Sequence, residues 1–216
     1  MSLTLHYHPL SSYSWKALIA LYENGAPFEP VIVDLGDETS RAAHLALWPL
    51  GKMPVLRDDA RGETVPETSV IIDYLDRYYP GRIRFTPADP DQAWRTRLWD
   101  RFFDLHVHNH MQRIVGDRLR PAGQQDPFGV ADARAQLTTA LDYLEREAAA
   151  RTGFSGDDFG LADCAAAPAL YYADRVQPLG AGQGAVRAYL ERLMARPSFA
   201  RVLKEAEPYF AMFPGG

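Results

Sequence analysis

The chain has 216 residues, of which 47% are hydrophobic and 24% charged, with a net charge of −5; this is material for one large or two small globular units. No basic run or stripe appears, which argues against a nucleic-acid surface. No 18 consecutive residues are apolar and Met1 to His6 has no signal character, so a cytoplasmic protein without membrane contact is expected. Cys164 is the single cysteine, which excludes an internal disulfide or a Cys-x-x-Cys pair and means that any thiol chemistry borrows its thiol.

Leu3 to Tyr7 alternates as a short strand does, and Pro9 to Ser14 is a polar turn leading into a helix. Trp15, Leu18, Ile19 and Tyr22 recur at helical spacing; Asn24-Gly25 stops that helix, and Ser14 is expected to be its N-cap. Phe28 to Val33 reads as a second strand, Thr39 to Leu47 as a helix and Pro54 to Arg57 as extended chain. A turn at Asp58 to Gly62 and a short strand at Glu63 to Val65 follow. From Glu67, the positions Val70, Ile71, Tyr74, Leu75 and Tyr78 form an amphipathic stripe that stops at Pro80-Gly81. The order β-α-β-α-β-β-α thus closes one small α/β domain over residues 1–81.

Residues 82–90, with Pro87 and Pro90, read as a linker, and 91–216 as an all-helical domain. Pro90 suits a first helical turn, and Trp94, Leu98, Phe102 and Leu105 follow at helical spacing in a helix that runs on to Arg120 before Pro121. Leu137, Leu141 and Leu144 mark a second helix, Leu161 to Ala167 opens a third, and Pro197-Ser198-Phe199 begins a last one. Small side chains let backbones approach closely, so residues 161–173 belong at the centre of the helical domain.

The stretch Leu50 to Leu56 joins a turn, a proline and a strand start. A cis bond is far cheaper before proline than elsewhere. If Met53-Pro54 is cis, the Met53 amide and carbonyl face a cleft and can pair with an extended peptide as a guest strand would.

Four segments, in order, carry a family resemblance: Ser11-Ser12-Tyr13-Ser14-Trp15-Lys16, Gly51-Lys52-Met53-Pro54, Pro66-Glu67-Thr68-Ser69 and Leu161-Ala162-Asp163. Along essentially its whole length the chain resembles a bacterial cytosolic glutathione transferase of the serine type, theta-like or zeta-like. The resemblance implies a thioredoxin-like N-terminal domain, an all-helical C-terminal domain, glutathione as co-substrate, a small hydrophobic electrophile and a homodimer. It departs from the family at Trp48, where an asparagine often precedes the proline.

Glutathione is an acidic tripeptide whose γ-glutamyl end carries a carboxylate and an ammonium. The free amides of a helix start, with the Thr68 hydroxyl, suit the carboxylate, and Glu67 suits the ammonium. The alternative is that Thr68 or Ser69 is only an N-cap. The Met53 main chain, held by Pro54, would pair with the cysteinyl residue. Lys52 either reaches the glycyl carboxylate or is a solvated surface lysine.

A cysteine thiol titrates at about 8.5, and lowering it by roughly two units takes about 2.7 kcal/mol. One charge-assisted hydrogen bond of ~1.5–3 kcal/mol with a helix N-terminus of ~0.3–1 kcal/mol is enough. Ser11 stands where serine-type members place this donor, in a run that resembles the zeta motif Ser-Ser-Cys-Ser-Trp-Arg, with Tyr13 in place of the cysteine. Ser11 is the first candidate and Ser12 the second, with Tyr13 and Tyr7 behind.

His106, His108 and His110 cluster in the long helix, and 106 with 110 share a face that can bind metal. No glutamate follows in the zincin arrangement and the family needs no metal, so these histidines are expected to shape the electrophile pocket. Tyr7, Trp15, Phe102 and Phe103 form either an aromatic pocket or plain core. Cys164 is expected to be buried and inert, and Asp163 to be a structural helix cap, although Gly160 occupies the position of its usual hydroxyl partner.

Overall fold

The computed structural model describes residues 2–156 and 158–214. Strand β1 (Leu3–Tyr7) buries Leu3 and Leu5, and α1 (Ser12–Asn24) packs Trp15, Leu18, Ile19 and Leu21 behind it. Helix α1 begins before Trp15, and Ser11, not Ser14, is its N-cap. Ser11 N–H donates to His8 O at 2.9 Å, closing a turn that lets the helix start early, and Ser11 Oγ accepts from Ser14 N–H at 3.2 Å. Ser14 is therefore inside the first turn, with its hydroxyl buried and without a partner among the described residues. The helix ends where Gly25 takes a φ of 70° and its N–H reaches Leu21 O.

Strand β2 (Glu29–Ile32), helix α2 (Glu38–Leu47), strands β3 (Val55–Asp58) and β4 (Glu63–Pro66), and helix α3 (Thr68–Tyr78) complete the α/β unit. The sheet order is β2-β1-β3-β4, with β1 parallel to β2 and antiparallel to β3, and β3 antiparallel to β4. In this register His6 lies opposite Val55, and Val55 opposite Pro66. The end of β1, the start of β3 and the end of β4 therefore meet at one end of the sheet. The segments that follow or precede them, around Ser11, Met53 and Glu67, emerge there together.

The helical part starts with α4 (Pro90–Phe102), capped by the Asp89 carboxylate on Gln92 N–H. The single helix expected to run to Arg120 is in fact α4, a π-helical turn at Phe103–His108, and α5 (Asn109–Arg118). The extra backbone of a π turn has no signature in apolar spacing, because Phe103, Val107, Met111 and Ile114 still fall on one buried face. Helices α6 (Pro127–Ala148), α7 (Leu161–Val176), α8 (Gly184–Ala195) and α9 (Pro197–Ala206) follow, with a 3-10 turn at Glu207–Met212.

Helix α7 is buried along almost its whole length, as its alanine run requires, and lies against α1. The sequence reading missed α8: it opens at Gly184 without a side-chain cap, although Val186, Tyr189, Leu190 and Leu193 carry the helical period.

Asp163 caps α7 through Gly160 N–H (3.0 Å), and it also accepts from Phe154 N–H and from Tyr189 Oη–H. The hydroxyl absent at Gly160 comes from Ser155, whose Oγ accepts from Ala162 N–H at 3.0 Å. A Cβ on residue 160 would lie 2.6 Å from Phe85 O and 2.7 Å from the Ser155 Cβ. The loop serine and a side chain at 160 thus compete for one space. Among the described residues no helix is long and apolar enough to cross a membrane.

Candidate functional site

The loop between β1 and α1 is pinned from both domains. Trp15 donates its indole N–H to Pro9 O at 2.6 Å, and Tyr172 of α7 donates to Leu10 O at 2.9 Å. These bonds hold Ser11 and Ser12 at the first turn of α1, where backbone N–H groups have no partners within the helix. Ser11 is half-buried; its oxygen serves the cap, and its proton has no acceptor among the described residues. Ser12 is buried and engaged: Oγ lies 2.5 Å from His108 Nε2 and accepts from Gln112 Nε2–H at 3.0 Å. Tyr13 stacks on His108 with ring centroids 3.9 Å apart, and burial, reinforced by Asp104, pushes its phenol up to about 12. The Tyr7 phenol is likewise raised, first by burial and then by Glu205 and Tyr209. Neither tyrosine is thereby prepared to ionise near neutral pH.

Across the cleft, the turn before β3 is set by Gly51 at a φ of 64° and by His44 of α2, whose Nε2 lies 3.1 Å from Lys52 O. The Met53-Pro54 bond is cis. Pro54 is buried and Lys52 is exposed. At the third corner Glu67 has a φ of 66° and a ψ of 115°, a backbone conformation that costs a non-glycine residue about 1–3 kcal/mol. Thr68 is the first residue of α3 and is buried. Neither Thr68 nor Ser69 is the N-cap: Glu67 holds that position and makes no side-chain cap bond, so the amides of this helix start stay uncapped by it.

Beneath these corners lies an ionic cluster that joins the domains. Lys16 is fully buried, with Nζ 2.6 Å from Asp100 Oδ1, 2.8 Å from Asp104 Oδ2 and 3.0 Å from Ser69 Oγ. Ser69 in turn donates to Asp100 Oδ2 at 2.8 Å, and Arg101 closes on Asp104 from the surface. The first turn of α3 is thus tied to α1 and to the helical domain through one residue beside Thr68.

The three histidines do not form one group: His106 and His110 line one cavity with Phe102 and Tyr143, and His108 lies apart. Two residues apart in the π turn, positions 106 and 108 point to different sides of the helix. His108 faces α1 and is fully buried, whereas His106 is exposed and packs on Phe102. Burial, and after it the Lys16 charge, pulls the His108 pKa down to about 3, so its ring is neutral at physiological pH. Trp15 and Phe103 are core. Cys164 is buried too, and burial pushes its thiol pKa well up.

The sequence reading missed Lys16, Asp100, Asp104 and Gln112. For the last three the signal is a polar row at four-residue spacing, Asp100, Asp104, His108 and Gln112, beside an apolar face.

A four-stranded mixed sheet of this order, with a cis proline opening an inner strand and an all-helical partner domain, defines the thioredoxin-like class of two-domain proteins. A model described as the glutathione S-transferase N-terminal domain matches residues 5–83, and one described as the glutathione S-transferase C-terminal domain matches residues 92–205. The chain belongs to the glutathione S-transferase family.

Among its relatives, glutathione S-transferase GstB of Escherichia coli strain K12 is 28% identical over 192 residues, covering 87% of this chain and 91% of that protein. A stringent starvation protein A homolog of Haemophilus ducreyi is 29% identical over 206 residues, covering 93% and 89%. The crystal structure of a Methylobacillus flagellatus glutathione S-transferase with glutathione bound superposes with a TM-score of 0.83 at 28% identity, covering 93% of this chain and 98% of that one.

Proposed function

We propose that this protein is a glutathione transferase, in which the thiolate of glutathione attacks a small hydrophobic electrophile. The observation that carries the reading is the sheet register. It brings the N-terminus of α1, the Met53-Pro54 turn and the N-terminus of α3 to one end of the sheet, where a tripeptide can touch all three. Ser11 donates its free proton to the sulfur, and Ser12 stands beside it. The Met53 main chain pairs with the cysteinyl residue, Lys52 meets the glycyl carboxylate, and Thr68 with the α3 amides seats the γ-glutamyl carboxylate while Glu67 takes the ammonium.

The division into residues 1–81, a linker at 82–90 and a helical domain at 91–216 belongs to the same reading. So do a cytoplasmic location and a role in detoxification. A homodimer is supported by exposed apolar side chains on neighbouring elements, Trp94, Leu98 and Leu105 from the α4 helix and the π turn and Val70 and Tyr78 from α3.

Retention on immobilised glutathione, followed by a conjugation assay with a generic aromatic halide, tests the proposal. Retention with turnover is expected. Retention without turnover would leave a glutathione binder. Absence of both would leave a scaffold protein of the same fold.

A further inference from the structure

Ser12 meets the helical domain through two side chains that lie 96 and 100 residues away in the chain. Gln112 can only donate to Ser12 Oγ from its amide nitrogen, so one lone pair of that oxygen is occupied. His108 can stand in either of two neutral tautomers. With the proton on Nδ1, Ser12 would donate to Nε2, and a buried N–H with no acceptor would remain, because Nδ1 has no partner among the described residues. With the proton on Nε2, His108 donates to Ser12 and only an unpaired lone pair is left at Nδ1. Orphaned buried N–H groups are the rarer and costlier outcome.

We infer that His108 is a positioning residue for the proposed reaction: it carries its proton on Nε2, donates to Ser12 Oγ alongside Gln112, and thereby directs the Ser12 proton to the sulfur of bound glutathione. With both lone pairs occupied, the hydroxyl makes no further bond among the described residues, and its proton is left for a ligand. Two donors onto one oxygen also polarise the O–H, which strengthens it as a donor.

The surroundings favour this direction of transfer. The charged and titratable groups around His108 are Lys16 of α1, Asp104 one turn back in the π turn, and the Tyr13 phenol stacked on the ring. The Lys16 ammonium and complete burial disfavour an imidazolium, so His108 cannot serve as the base that removes the thiol proton. The stack on Tyr13 fixes the plane of the ring, and with it the aim of Nε2.

The inference rests on the glutathione transferase reading, and two measurements separate its failure from the failure of that reading. The first needs no glutathione: a long-range 15N–1H spectrum of the protein, with the His108 signals assigned by their loss in His108→Gln. An Nε2–H tautomer is expected; an Nδ1–H tautomer overturns the inference even if the enzyme conjugates glutathione. The second is the pH profile of conjugation in His108→Ala and His108→Gln. Loss of the donor in His108→Ala is expected to raise the apparent thiol pKa by about one unit and to lower kcat about tenfold at neutral pH, with the KM for glutathione little changed. Glutamine places its amide nitrogen near the position of Nε2 and is expected to restore most of both. A pH profile unchanged in His108→Ala, or equal defects in the two variants, overturns the inference. Should His108→Ala not fold, the tautomer and the glutamine profile decide. A wild-type protein that binds no glutathione overturns the proposed function and this inference with it.

Discussion

The two ends of α1 differ in how completely their polar groups are paired. At the C-terminal end the Glu23 carboxylate is paired on both oxygens, by Arg196 at 2.6 and 2.9 Å and by Ser198 at 2.5 Å. Asn24 there donates to Tyr79 O at 2.7 Å, and Gly81 fits so closely that a Cβ would lie 2.1 Å from Asn24 Oδ1. At the N-terminal end Ser14 Oγ, His108 Nδ1 and Asp104 Oδ1 are buried without hydrogen-bond partners among the described residues, and Glu67 holds a positive φ nearby. Both ends join the two domains and each leaves a buried polar atom unpaired among the described residues, Asn24 Oδ1 at the C-terminal end, but the N-terminal end leaves three such atoms and adds the positive φ. Buried polar atoms left unpaired and strained backbone persist only where the surroundings enforce them, and they collect at ligand sites.

The sharpest way to break this comparison is to remove one charge from each end. Lys16→Met leaves the buried Asp100 and Asp104 with only the half-exposed Arg101 as cation, and a loss of about 3 kcal/mol is expected in urea unfolding. It is also expected to weaken glutathione binding, because Ser69 beside Thr68 loses one of its two anchors and keeps only its bond to Asp100. Glu23→Gln strands only Arg196, whose side chain is about one-third exposed and can rehydrate. Its cost is expected to be about 1–2 kcal/mol, with glutathione affinity unchanged. Equal losses at both ends would show that the ionic cluster near the site is no different from the distant one.

His108 gives the second test, through acid. Its folded pKa of about 3 lies below its unfolded value of 6.5. Stability from this residue is complete above 6.5, and it falls as the unfolded chain takes up a proton that the folded one refuses. The decline approaches about 1.4 kcal/mol per pH unit between 6.5 and 3. His108→Gln is therefore expected to show a shallower decline in urea midpoint from pH 7 to pH 5 than wild type. Parallel declines would mean that the ring protonates without unfolding.

Smaller effects sharpen the functional end. Ser11→Ala is expected to raise the apparent thiol pKa by one to two units, the size of a lost charge-assisted hydrogen bond, and to cost about 1 kcal/mol of stability through the lost cap. An unchanged pH–rate profile would leave the donor role to Ser12. Smallest is Glu67→Gly, which relieves the positive φ. A gain of up to about 1 kcal/mol in stability is expected together with a raised KM for glutathione. If stability falls instead, Glu67 makes a packing contribution that outweighs its backbone cost.

Local chemistry made much of this legible in the sequence. Gly25 ends α1, Pro90 opens α4 and the alanine run of α7 marks a buried helix, because each depends on the residue and its immediate neighbours. The Met53-Pro54 turn could be singled out for the same reason. Less legible were features that depend on a backbone turn, a loop partner or a missing cap rather than on apolar spacing. The cap moved from Ser14 to Ser11 because of a turn closed by His8, Ser155 took over the hydroxyl missing at Gly160, and α8 lacked a capping side chain to announce it.

The sequence by itself determined the order of elements, the two-domain character and the segments from which a tripeptide site is made, because hydrophobic period, caps and prolines act within a few residues. Only the tertiary structure decided that Lys16 is buried between Asp100 and Asp104, and that Ser12 is held by His108 and Gln112 while Ser11 keeps a free proton. Those pairings join residues more than eighty positions apart. Whether a serine hydroxyl donates, accepts or caps is set by which partners the packing of two domains brings within 3 Å or so of it.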